Sequence, residues 1–289
     1  MRFLHVRTGS QRADEAIARA AIDFRSVLLG GRRYRKFVIV GTARTGSTLL
    51  LSLLNAHRGA LAFGELFRGD GRIGWDTAPF LTRQSPRLMR LLETRPLDFL
   101  ESEVFCRWPR EIGAVGFKLF YYHARDGALA AIWDYIRSEP EILIVHIKRL
   151  NILEQYLSLT VAHATNIWST SGRPSAAAEP IRLDPDDCRE HFEKVRAYER
   201  DCEALFAGRQ VETVTYEELV VDRSEVMRRI CAQLGLPAEP VEARTVRQRT
   251  QPLSHAIANY EELRACFAGS DWEDFFRHCD TAAAGQKDT

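Results

Sequence analysis

Net charge is almost missing from this chain: 40 Lys plus Arg stand against 39 Asp plus Glu over 289 residues, a formal balance of +1. Such a balance gives no global field of the kind that non-specific nucleic-acid binding needs, so an anionic ligand has to be met by local charge. Long apolar runs are missing too. None nears the roughly 18 residues of a membrane span, and the N-terminus lacks the uninterrupted apolar core of a signal peptide. The six cysteines (Cys106, Cys188, Cys202, Cys231, Cys266, Cys279) never approach CxxC spacing. A chain this long needs no disulfide staples, so reduced structural thiols and a cytoplasmic location are expected.

What is present is enough apolar content, 45%, to bury a full core in one large α/β domain. Residues 1–35 read as an N-terminal helical arm with an amphipathic stretch at 13–29, and residues 36–289 as a single domain. The body opens on Phe37, Val38, Ile39 and Val40, a β-branched run that stops at Gly41, as a buried parallel strand does. A helix is expected over 46–55. Comparable apolar runs follow at 114–120, 142–147 and 211–215, with helical patterns between them. Strands alternating with helices imply a central parallel sheet flanked by helices, with ligands beyond the carboxyl ends of the strands. Two stretches break the rhythm: 68–110, expected as helices over the mouth of the sheet, and 169–187, which reads as a loop.

Between the first strand and its helix lies Gly41-Thr-Ala-Arg-Thr-Gly-Ser-Thr48. Backbone N–H groups at a helix start converge on one spot and the macrodipole favours an anion, so this is a phosphate cradle. A nucleotide-triphosphatase loop reads GxxxxGK[ST] and uses its Lys on the phosphates. Here the Gly41 to Gly46 spacing is kept, Ser47 stands in place of the Lys, and the cation has moved to Arg44 inside the loop. The run 142–147 ends in Lys148 and Arg149 rather than in an acidic residue that would help hold magnesium. Both departures point to a phosphate-bearing donor without a metal-bound triphosphate, in a P-loop-like three-layer fold. A nucleotide-dependent kinase and a non-catalytic nucleotide-binding protein share the topology and stand as the alternatives.

The segment Ala43-Arg44-Thr45-Gly46-Ser47-Thr48 resembles the 5′-phosphosulfate-binding loop of the PAPS-dependent sulfotransferases, with Ala43 where that family usually has Pro. Arg149 and Ser158 resemble the pair with which the family grips the donor's 3′-phosphate. Their spacing is one residue longer than in the common cytosolic enzymes, which lets Lys148 share or take the role. Asn151 is the expected N-cap of the helix that carries Ser158. The segments Phe63-Gly-Glu-Leu-Phe67, Val115-Gly-Phe-Lys118 and Asn259-Tyr-Glu-Glu-Leu263 are similar to bacterial carbohydrate sulfotransferases of the Nod-factor type, a likeness that runs from about Lys36 to Leu263. The resemblance implies PAPS as sulfuryl donor, PAP as product and no metal. It also implies a small-molecule or glycan hydroxyl as acceptor, and it leaves homo-oligomerisation open.

Sulfuryl transfer needs a base for the attacking hydroxyl, in-line geometry, and positive charge on the departing oxygen. Glu65 is the candidate base: the run 60–63 reads as a second strand that delivers it to the loop's end of the sheet. An apolar frame of Phe63, Leu66 and Phe67 is expected around it, and the resemblance supports the assignment. His123 is the reserve. Arg44 and Lys118 are the expected charge stabilisers, since a Lys in the apolar strand 115–120 requires an anionic or polar partner. Ser47 and Thr48 would donate to the 5′-phosphate alongside Thr45 and Gly46 of the loop. Arg247, in the basic run 247–249, resembles the C-terminal segment that closes over the 3′-phosphate. Trp75, Trp108 and Trp168 are candidates for stacking on sugar rings.

Overall fold

The computed structural model describes residues 22, 26, 30–77, 80–81, 83–168, 179–241 and 251–276. The arm at 13–29, most of the 169–187 loop, Arg247 and Cys279 therefore lie outside the described residues, apart from helical Ile22 and Ser26.

Five strands form one all-parallel sheet: β1 (Arg35–Gly41), β2 (Ala60–Phe63), β3 (Ala114–Phe120), β4 (Leu143–Lys148) and β5 (Val211–Thr215), in the order β2-β3-β1-β4-β5. Three of them have the bounds of the apolar runs; β1 begins two residues before the hydrophobic stretch, because Arg35 and Lys36 still pair with Ala114 and Val115 of β3. The chain moves from β1 to one side of the sheet and returns across β1 to reach β4. Crevices at such a switch point are where ligands enter an open parallel sheet.

Alternation along β1 supplies both faces. Val38 and Val40 join one buried cluster, and Phe37 and Ile39 the other. Helix α1 (Ser47–Ala56) lays Leu50, Leu51, Leu53 and Leu54 on the second face. Helix α2 (Pro86–Thr94) and the turns from Pro96 to Val104 cover the first, so that half of the 68–110 stretch packs against the sheet face, while Arg68, Asp70 and Asp76 border the cavity at its mouth. Helix α3 (Ala131–Ser138) completes that side.

Beyond β4, helix α4 (Ile152–Thr165) starts at Asn151, whose side chain accepts from the Glu154 N–H as its N-cap. Helix α5 (Pro185–Leu205) is capped by Asp184, and its inner side joins α4 and the C-terminal segment in a third cluster. Helices α6 (Tyr216–Val221) and α7 (Arg223–Leu234) follow β5, and α8 (Tyr260–Phe267) precedes a last short 3-10 turn, Glu273–Phe276. Asn259 exchanges two hydrogen bonds with the Leu183 backbone, which fixes the C-terminal segment beside the start of α5. The cysteines among the described residues are free thiols. No helix among the described residues is long and apolar enough to cross a membrane.

Candidate active site

The turn after β1 is held open by its own geometry. Arg44 and Gly46 both have positive φ, 67° and 84°. At Gly46 a Cβ would come within 2.7 Å of the Tyr216 ring, so glycine is required there by conformation and by space alike. Thr45 spends its hydroxyl inside the turn, donating to the Thr42 carbonyl at 2.8 Å. Thr45 and Gly46 thus shape the loop, whereas Arg44, Ser47 and Thr48 line the cavity beside it. Helix α1 begins at Gly46 without a side-chain cap. Its first N–H groups carry the positive end of the helix dipole.

The cavity has a volume of about 930 Å³ and is bounded by the loop, Glu65, Lys118 and His123, with α4 and α5 on the far side. Lys118 is 2% exposed on an interior strand, with Nζ 3.0 Å from Glu65 Oε1 and 3.4 Å from Thr48 Oγ1. The requirement for a polar partner in that strand is met by Glu65. The apolar frame expected around Glu65 is not found. Phe63, Leu66 and Phe67 turn into the core, because the residues after β2 continue its packing, and the carboxylate meets Lys118 with Arg68 and His123 each at 3.9 Å.

Two contacts brace this carboxylate's backbone. Gly64 donates to the Trp75 carbonyl at 2.9 Å, and Glu65 N–H reaches Asp76 Oδ2 at 3.4 Å. At Gly74 a Cβ would lie 2.4 Å from the Glu65 carbonyl oxygen. Gly74→Ala should therefore displace Glu65 and cost about 1–3 kcal/mol of stability, as overpacking does, read as a lowered urea midpoint with a parallel loss of turnover.

His123 is buried, and burial pushes its pKa down to about 4, with the Glu65 charge working against that shift. Its Nδ1 accepts from the Phe120 N–H at 3.3 Å. The proton of the neutral ring then sits on Nε2, on the side of Glu65 but 3.9 Å from its carboxylate.

Arg149 and Ser158 are not brought onto one another; they take the two ends of Arg44. Ser158 Oγ accepts from Arg44 Nε at 2.9 Å, and Arg149 donates to the Arg44 carbonyl at 3.2 Å. Arg149 also pairs with Glu154 and lies 4.2 Å over the Tyr216 ring, and its buried Nε has no hydrogen-bond partner among the described residues. Lys148, one residue earlier on the strand, points the other way to Glu203. Burial, then the nearby Arg149 charge, disfavours the Arg44 cation. Like charges that disfavour one another in this way favour an anion nearby.

A model described as the sulfotransferase family matches residues 36–240. The chain belongs to the sulfotransferase family. Two relatives named nodulation protein H align over nearly their whole length. One, from Rhizobium tropici, is 25% identical over 254 residues, covering 86% of this chain and 95% of the relative. The other, from Rhizobium meliloti (strain 1021), is 26% identical over 249 residues, covering 83% and 94%. A solved sulfotransferase from Alicyclobacillus acidocaldarius aligns at 18% identity and a TM-score of 0.44, covering 85% of this chain and 96% of its own.

In this sulfotransferase the loop, Glu65 and Lys118 line one cavity, yet several neighbours of the site carried no motif of their own. Tyr216 supplies the ring under Arg149 and Gly46; its place just beyond β5, where loops gather, is the signal that marks it. Asp76 behind Glu65 and Gln155 behind the loop are invisible to spacing, because each acts through a backbone group distant in sequence. Of the three tryptophans considered for sugar stacking, Trp75 and Trp108 are core residues, 1% and 3% exposed. Trp168 is 45% exposed and lines the cavity.

Proposed function

We propose that this sulfotransferase takes its sulfuryl group from PAPS and passes it to a hydroxyl of a carbohydrate acceptor, with Glu65 as the base. The observation that carries the reading is the Glu65 and Lys118 pair set directly beside the start of α1, with Lys118 Nζ 3.4 Å from Thr48 Oγ1, on the wall of one cavity. A nucleotide ending in phosphosulfate suits the residues present: the α1 N–H groups, the Ser47 and Thr48 hydroxyls and Arg44 form an anion cradle built of donors. The Nε of Arg149, without a partner among the described residues, is a further buried donor.

PAPS supplies an activated sulfur whose bond to the bridging phosphate oxygen breaks as the new bond to the acceptor oxygen forms. Glu65 takes the acceptor proton as that bond forms. The neutral tautomer fixed by Phe120 leaves His123 with its proton on Nε2, 3.9 Å from Glu65, so that nitrogen is not free to act as the base. Lys118 and Arg44 hold positive charge where the leaving phosphate gains negative charge. Arg149, rather than Lys148, serves the 3′-phosphate, because Lys148 is turned to Glu203. The exposed face of Trp168 suits a sugar ring, in line with the carbohydrate-type motifs of the sequence.

Calorimetry tests the donor. PAP should bind more tightly than ATP or AMP, with or without magnesium; tighter magnesium-dependent ATP binding would replace this reading with a kinase. Arg149→Ala should weaken PAP about tenfold to a hundredfold, the loss of a charge-assisted contact of about 1.5–3 kcal/mol, while leaving AMP almost unchanged. Equal losses for both nucleotides would remove Arg149 from the 3′-phosphate.

A further inference from the structure

One buried amide outside the chemistry above joins two walls of the cavity. Gln155 of α4 is 1% exposed, and its Nε2 donates to the Ala43 carbonyl of the loop at 2.7 Å. A carbonyl only accepts, so the amide's orientation is fixed and its Oε1 is the atom that faces His191 Nε2 on α5, 3.2 Å away. An amide oxygen only accepts as well, so the His191 proton must sit on Nε2. The other ring nitrogen, Nδ1, is left as an acceptor on a residue that lines the cavity. The ring is clamped against Tyr156, with centroids 4.6 Å apart. Burial pushes its pKa down to about 4, which keeps it neutral around pH 7.

We infer that Gln155 is a positioning residue, and that Ala43, Gln155 and His191 form a strut that sets the tautomer of the α5 wall and carries to it the movement of the phosphate loop when nucleotide binds. The wall so set offers an acceptor nitrogen, which suits a hydroxyl or N–H of the second substrate and disfavours a carbonyl. The inference rests on the reading that the loop holds a nucleotide phosphate. Ala43 is the loop residue next to Arg44, so a phosphate that draws in the loop's donors moves the same peptide that Gln155 grips. Coupling of this kind is reciprocal: whatever His191 does to the loop, the loop does to His191.

Nitrogen-15 NMR of the full-length protein, with the His191 ring assigned by comparison with His191→Phe, reads this directly. Without ligand, His191 should show a protonated Nε2 and a bare Nδ1. PAP should shift both ring nitrogens along the isotherm that calorimetry gives. Gln155→Met, of similar length and apolar, should keep PAP affinity within about tenfold but lose both the single tautomer and the response. His191→Phe should weaken PAP by about threefold to tenfold through the reverse coupling. A protonated Nδ1 in the free protein, a PAP response that survives Gln155→Met, or unchanged PAP affinity in His191→Phe would each overturn the strut. Failure of the wild-type protein to bind PAP would sink the donor assignment instead, and the tautomer of the free protein would still decide whether the strut exists.

Discussion

Glu65→Gln should lower kcat by about a hundredfold to ten-thousandfold, the range for loss of a general base, while PAP binds as before. The substitution is nearly isosteric, and the amide oxygen of glutamine can still accept from Lys118 Nζ, now 3.0 Å from the carboxylate. What is lost is the capacity to take a proton. Steady-state kinetics alongside calorimetry separate the two: a change confined to kcat marks a group used in the transition state, and a parallel loss of PAP affinity would mark a structural collapse of the site. Turnover within tenfold of wild type would remove Glu65 from the role and pass it to His123, whose ring would then have to present a bare Nε2 in place of the donor inferred from the Phe120 contact.

Lys118→Met should lower kcat by about a hundredfold to a thousandfold, roughly 2.7–4 kcal/mol of transition-state stabilisation, as when one preorganised donor is removed. The methionine side chain fills much of the same volume, so the strand keeps its packing. The ammonium is nearly fully buried between Glu65 and Thr48, where its charge is screened far less than at the surface. Lys118→Arg separates charge from placement: it keeps the cation but moves it away from the Glu65 and Thr48 contacts, and should recover only part of the rate. A kcat within threefold of wild type for Lys118→Met would show that the buried ammonium only neutralises Glu65. Thermal unfolding of each variant serves as the control, since removing Lys118 leaves the 19%-exposed Glu65 side chain to find water.

The loop and its strand were legible because both rest on local physics. A β-branched run ending at Gly41 can only stop there, and a turn that needs left-handed backbone marks itself with Gly46. The same holds for Asn151, whose capping bond spans three residues. Glu65 and Lys118 were legible as candidates, since a charge beside apolar runs needs a reason, yet the surroundings of Glu65 were misread as apolar. Flanking phenylalanines say nothing of direction until the chain's turn after β2 is known. That Arg149 and Ser158 both reach Arg44, at its carbonyl and its Nε, was not legible either, since neither contact is local.

By itself, the sequence determined the strands, the turn after β1, the absence there of the usual lysine and the family motifs, all of which are written in contiguous residues. Tertiary structure alone decided which side chains meet. Arg44 finds Ser158 across 114 residues of chain, and Gln155 finds Ala43 across 112. Those encounters follow from strand order and helix rotation, which are set by burying both faces of one sheet at once, and no local pattern carries that information.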